Sequence, residues 1–319
     1  MLQKVLISSV ILIIFLGLVP ALVHSKPYQL HVLIIAMFHV VLALALNFIM
    51  RTGQVPLCQA AFVGIGAYTS TLLVMKAGAS FWVSLPVAGL VGAVVGFLVG
   101  LPTLKIRGIY FAMATFAFGE IIRLIFIGWV ELFGGANGIS GIPSPNSIRL
   151  PFLPEIVFES KVSFYYLTIL FLFASIVFFY RLTYSRVGRA CKAIGESEIL
   201  GECIGINSMR YKVMAFTICS WFAALVGAMY AHYMRFIAPQ EFGFWKSVEC
   251  IIHVIVGGLG TFWGPIVGAA VFTFLPEWLR IAERWELVIY GLVLILTILF
   301  VPDGIWGFGG RVSAKVSKS

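Results

Sequence analysis

Runs of about 20 residues with almost no charge recur along the whole of this sequence, and an apolar run of that length is what a helix needs to cross a bilayer. They fall near residues 5–23, 31–50, 60–75, 81–104, 109–130 and 163–180, then 213–234, 247–275 and 286–301. A chain built this way needs lipid as its solvent. Hydrophobic residues are 61% of the 319 and charged residues only 11%, where a soluble domain carries about a quarter charged. The expected fold is all-α and polytopic, one membrane domain over 1–319 with about 8–10 spanning helices.

The net charge of +9 does not mark a nucleic-acid binder. The basic residues are few and gather at span ends and in short loops, which is the bias of cytoplasmic loops rather than a stripe that follows phosphates. The first 23 residues resemble a signal peptide, but the apolar core is too long and no small-residue cleavage site follows it. They read as the first span, with Lys4 on the cytoplasmic side.

Residues 181–212 carry Arg181, Arg186, Arg189, Lys192, Arg210 and Lys212, the most basic loop of the chain, so they are expected in the cytoplasm. Counting back six spans puts the N-terminus in the cytoplasm and the Gly-, Pro- and Ser-rich loop 134–162 outside. Three simple crossings after 212 would strand the basic tail 311–319 outside. The run 247–275 is broken by GGLGTFWGP, and two shorter helices meeting there add the reversal that returns the tail to the cytoplasm.

Non-helical backbone at membrane depth is tolerated only where protein buries it or water wets it. The break at 257–265, with Gly257, Gly258 and Gly260, is therefore one candidate for a translocation path. The stretch GQVPLCQAAFVGIGAY is the other, through Gln54, Pro56, Gln59, Gly64 and Gly66. Close helix packing is the alternative for each glycine, as it is for Gly92, Gly96 and Gly100 at i, i+4 spacing.

The loop 185–212 has helical periodicity. Val187, Ala190, Cys191 and Ile194 form one stripe, which Gly195 is expected to end; Ser197 is expected to cap a second short helix bearing Ile199, Leu200, Cys203 and Ile204, closed by Gly205. Periodicity alone fits both a helix inserted in a partner's groove and one lying on anionic membrane lipid. Within the spans, Asn47 is placed to bond broken backbone. Glu120 with Arg123 and Glu249 with His253 are spaced as pairs on one helix face. Five cysteines without a CxxC pair and five scattered histidines offer no disulfide framework and no metal-ligand cluster.

Three stretches carry a family resemblance. GQVPLCQAAFVGIGAY is similar to a stretch of the branched-chain amino acid ABC permeases, with Pro56, Cys58 and Gln59 standing where Ser, Gly and His are usual. FAMATFAFGEIIRLI with GGANGISGIP resembles the LivM branch, and SRVGRACKAIGESEILGECIGIN resembles its cytoplasmic loop. The resemblance implies a permease subunit of a bacterial inner-membrane importer with the type II-like architecture of vitamin B12 permeases. Its partners would be a second homologous permease, two cytoplasmic ATPases and a periplasmic solute-binding protein. It also implies that 181–212 couples the ATPases to the gate through Arg186, Gly188, Arg189, Ala193, Glu198, Glu202 and Gly205. Branched-chain amino acids, or a related small amide or carboxylate, would be the solute. No cofactor is expected, and the absence of a G-x-x-x-x-G-K-[ST] loop leaves ATP hydrolysis to a partner. An ion-coupled secondary transporter is the main rival; a membrane enzyme lacks a catalytic set.

Overall fold

The computed structural model describes residues 27–147, 158, 160–279 and the isolated positions 291, 295 and 304. The expected spans 5–23 and 286–301, Lys4, the tail 311–319 and residues 148–157 of the long loop lie outside the described residues. Eleven α-helices are described: α1 Pro27–Met50, α2 Gln59–Met75, α3 Phe81–Thr103, α4 Ile109–Gly128, the short α5 Val130–Phe133, α6 Lys161–Tyr184, α7 Arg186–Glu196, α8 Glu198–Cys203, α9 Ser208–Met234, α10 Phe244–Gly258 and α11 Gly264–Leu279. Of these α1, α3, α4, α6 and α9 are long and apolar enough to cross a membrane, while α2 and α11 are shorter apolar helices. The chain is thus a multi-pass, predominantly helical membrane protein. A two-stranded antiparallel pair, β1 Ile139–Ser140 with β2 Phe236–Ile237, ties the loop after α5 to the end of α9.

Side chains fix where the helices begin. The first amides of a helix have no partner within it. Ser80 accepts from Trp82 N at the start of α3, Ser160 from Ser163 N at α6, and Asn207 from Arg210 N at α9. Arg235, in the left-handed conformation at φ 58°, ends α9.

The helices α1 and α9 form the core: 83% and 72% of their most apolar windows are buried, against 17% for α4. Neither the hydrophobic effect nor long side chains can hold helices together in lipid as they do in water, so close backbone approach matters more. A methyl group on Gly66 of α2 would lie 2.0 Å from the Ala224 carbonyl oxygen of α9, and Gly92 and Gly96 of α3 face Ala224 and Ser220. Packing therefore accounts for the glycine repeat on α3 and for Gly66. α10 and α11 form a hairpin closed in the same way, with Gly257 against the Gly264 carbonyl.

The two short helices of the 185–212 loop depart from expectation at one point. Gly195 does not end the first of them: α7 runs on to Glu196, and extended Ser197 terminates it and caps α8 through Leu200 N. Gly195 is a glycine for another reason, since a methyl there would lie 2.1 Å from the Arg51 carbonyl oxygen.

Candidate functional site

The end of α1 is where the broken stretches meet. Asn47 donates to the Thr261 carbonyl at 2.9 Å and accepts from Gly260 N at 3.3 Å, so its amide spans the turn between α10 and α11. Arg51, one turn further, donates to the Gly260 carbonyl at 2.6 Å. Asn47 thus holds the 259–261 break rather than the nearer one, and Gly260, at φ 82°, offers its carbonyl to Arg51. Gly195 of α7 abuts the Arg51–Gly53 turn from the other side. Cys191 is buried beside it; burial pushes its thiol up to about 11, only partly offset by Arg51, so it stays protonated near neutrality.

From that turn the chain reaches α2 through a stretch without regular secondary structure. Gln54, Pro56 and Cys58 are buried while Gly53 and Val55 are exposed and Leu57 is intermediate, so burial alternates residue by residue. Leu57 N donates to Thr115 of α4 and Ala60 N to Ser247 of α10, which pin the end of the stretch. The polar candidates consequently point into the fold. Gln59 accepts from Cys219 Sγ at 3.1 Å and is 1% exposed; its Nε2 and the Gln54 Oε1 are buried without a hydrogen-bond partner. Gly64 packs against Phe126 and Phe242, Gly66 against α9, and Gly257 and Gly258 are buried in the α10–α11 hairpin. The exposed side chain of the stretch is Val55, at 38%. In a variant otherwise free of cysteine, Val55→Cys is expected to react with a small polar thiol reagent about tenfold faster than Gln54→Cys or Gln59→Cys. Equal rates at 54, 55 and 59 would overturn that assignment.

Of the intramembrane pairs, Glu120 and Arg123 join at 2.7 Å on α4. Glu249 does not rely on His253: its Oε2 takes Lys246 Nζ at 2.9 Å, and its Oε1 lies 4.0 Å from His39 Nε2. His253 is fully buried with both ring nitrogens unpartnered, and its ring centroid lies 5.1 Å from that of His39. The ligand atoms of His39, Glu249 and His253 all lie within 4.8 Å of one another, so α1 and α10 assemble a polar cluster from histidines that look scattered in sequence. Beside it a cavity of about 240 Å³ opens between α1, α2, α9 and α10. Phe38, Leu42, Val63 and Val226 make its apolar wall, and Tyr230, Glu241 and Lys246 its polar one. Lys246, Glu241 and Tyr230 carried no motif; one lysine beside Glu249 on an apolar helix was the available signal.

The loop residues divide into two sets. Glu198 is a tether, held by Lys212 at 2.7 Å and by Arg107 at 3.1 Å. Gly188 lies against the Thr183 carbonyl, Ala193 is half-buried, and Gly205 closes α8. Arg186, Arg189 and Glu202 are exposed. The Ala190, Cys191 and Ile194 stripe is buried on the bundle, whereas Ile199, Leu200 and Ile204 project outward at 67%, 68% and 73% exposure.

Residues 28–298 match the family described as branched-chain amino acid transport system / permease component. The chain is 34% identical over 287 residues (84% of it, 68% of the relative) to the high-affinity branched-chain amino acid transport system permease protein LivM of Salmonella typhimurium. It is 30% identical over 129 residues (40% of it, 41% of the relative) to the LivH permease protein of Escherichia coli K12. It is also 26% identical over 306 residues (92% and 84%) to the autoinducer 2 import system permease protein LsrC of Salmonella typhi. No solved structure matches it.

Proposed function

The chain belongs to the branched-chain amino acid transport permease family, and from that premise we propose how it works as the membrane-spanning subunit of an ATP-binding-cassette importer. One observation carries the reading. Ile199 and Leu200 on a short helix, and Ile204 at its C-terminal end, are largely exposed, and the Glu198 ion pairs tether that helix. A fixed apolar knob beyond the spans suits a groove on a partner, here a cytoplasmic ATPase that supplies the hydrolysis. Loop 181–212 and both termini then lie in the cytoplasm of a bacterial inner membrane, and loop 134–162 faces a periplasmic solute-binding protein.

The second permease subunit, LivH-like, covers α4. Among the described residues that helix is barely packed, yet it carries the Glu120–Arg123 pair at 27% and 30% side-chain exposure. An ion pair facing lipid is costly, and a protein neighbour removes the cost. The broken segments and paired subunits fit the type II-like architecture. Alternating access moves a branched-chain amino acid, or a related small amide or carboxylate, past Val55 and the Lys246 cavity. Gln54, Pro56 and Gln59 shape that route from behind.

The cluster of His39, Glu249 and His253 gives an ion-coupled secondary transporter its one specific support. Proteoliposomes holding the chain, a homologous permease, the ATPases and the binding protein separate the two. Uptake of L-leucine should require ATP and survive collapse of proton and sodium gradients. Gradient-driven uptake without nucleotide would sink the importer reading.

A further inference from the structure

A second cavity, of about 390 Å³, lies at the α7 end of the bundle, between the ends of α1 and α6, helix α7 and the 259–263 turn. Arg51, Arg189 and Lys192 line it, and among the described residues none that lines it is acidic. Lys192 has one carboxylate in reach, Glu196 at 3.6 Å, but both side chains are about two-thirds exposed and such a pair neutralises little. Arg189 is positioned by its own bond to the Tyr184 carbonyl at 3.0 Å. Arg51 is positioned by Gly260, and its Nε is buried with no acceptor. A buried donor without an acceptor marks a place where an anion or water belongs. Tyr184 and Trp263, also on the wall, are the residue types that settle at the level of lipid headgroups.

We propose that this cavity binds a phosphate-bearing anion, presented by the headgroup of an anionic phospholipid in the inner leaflet. Two guanidinium groups and an ammonium on one cavity wall, with only the exposed Glu196 carboxylate near Lys192, favour phosphate, whose oxygens match the guanidinium fork. The cavity stands at a helix end rather than in the hydrocarbon, where headgroup phosphates are found and basic pockets between spanning helices collect them. An anion there touches α7 through Arg189 and Lys192 and the 259–261 turn through Arg51. It is a strut between the coupling helix and one of the two breaks, whatever solute the permease carries.

Thermal unfolding of the full-length chain in mixed micelles tests this. Dioleoylphosphatidylglycerol should raise the midpoint by about 5 °C over dioleoylphosphatidylcholine. The double variant Arg189→Gln/Lys192→Gln should lose at least about half of that gain while its midpoint without anionic lipid stays within ~2 °C, because both side chains are exposed. Arg186→Gln, exposed on the same helix but outside the cavity, should keep the full gain. Inorganic phosphate at millimolar concentration should give little; if it alone reproduced the gain, the pocket would hold a free anion and the lipid source would be wrong. An equal response to both lipids would overturn the proposal, as would a gain unchanged in the double variant or lost equally in Arg186→Gln.

Discussion

The double variant Leu200→Asp/Ile204→Asp is expected to abolish ATP-driven uptake while the permease remains folded in the membrane. The two side chains are 68% and 73% exposed, so their removal takes little packing from the fold. If they fill a groove on the ATPase, each is an apolar anchor worth about 2 kcal/mol, and the carboxylates that replace them are desolvated there. A loss of about 4 kcal/mol weakens association roughly a thousandfold. Retention of the ATPase on the solubilised permease reads this directly. Full retention with normal uptake would show that α8 lies on lipid or solvent instead, and the observation carrying the importer mechanism would fall with it.

Gly195→Val is expected to separate hydrolysis from transport. Its Cβ would lie 2.1 Å from the Arg51 carbonyl oxygen and 3.2 Å from Gly53 N, both backbone atoms that cannot swing aside. Restoring ordinary contact moves α7 about 1 Å or more away from α1. If the ATPase docks on α8, which the Glu198 pairs tether, docking and hydrolysis should persist. If α7 passes its motion to the Arg51–Gly53 turn through this contact, uptake should fall about a hundredfold. Gly201→Ala is the permitted counterpart: the new methyl has 3.7 Å to Ile194, and alanine favours the helix by up to ~1 kcal/mol. Uptake by Gly195→Val at the level of Gly201→Ala would mean that α7 carries no motion to α1.

The spans were legible because length and apolarity suffice in lipid, and α1, α3, α4, α6 and α9 begin and end within a few residues of the expected runs. Direction was harder to read than existence. Val187 to Ile194 and Ile199 to Ile204 share one spacing, but the first stripe lands on the bundle and the second faces outward, which tertiary placement decides. Gln54 and Pro56 stood out by residue type. The irregular stretch that carries them buries both and leaves plain Val55 exposed, a placement that residue type alone does not foretell. Gly195 offered a helix stop and a close contact at once, and the carbonyl that decides between them belongs to Arg51, far away in the chain. His39 and His253 became neighbours only when α10 folded against α1.

The end of α1 behaves as a fulcrum. Asn47 and Arg51 hold the turn between α10 and α11, the Arg51–Gly53 turn opens the extended stretch, and Gly195 presses on the same turn. A push delivered at α7 therefore need not be relayed in steps through the bundle. If α7 delivers such a push, the contacts of Asn47, Arg51 and Gly195 bring it to both irregular segments through one pivot, so the two segments would be geared to each other rather than timed.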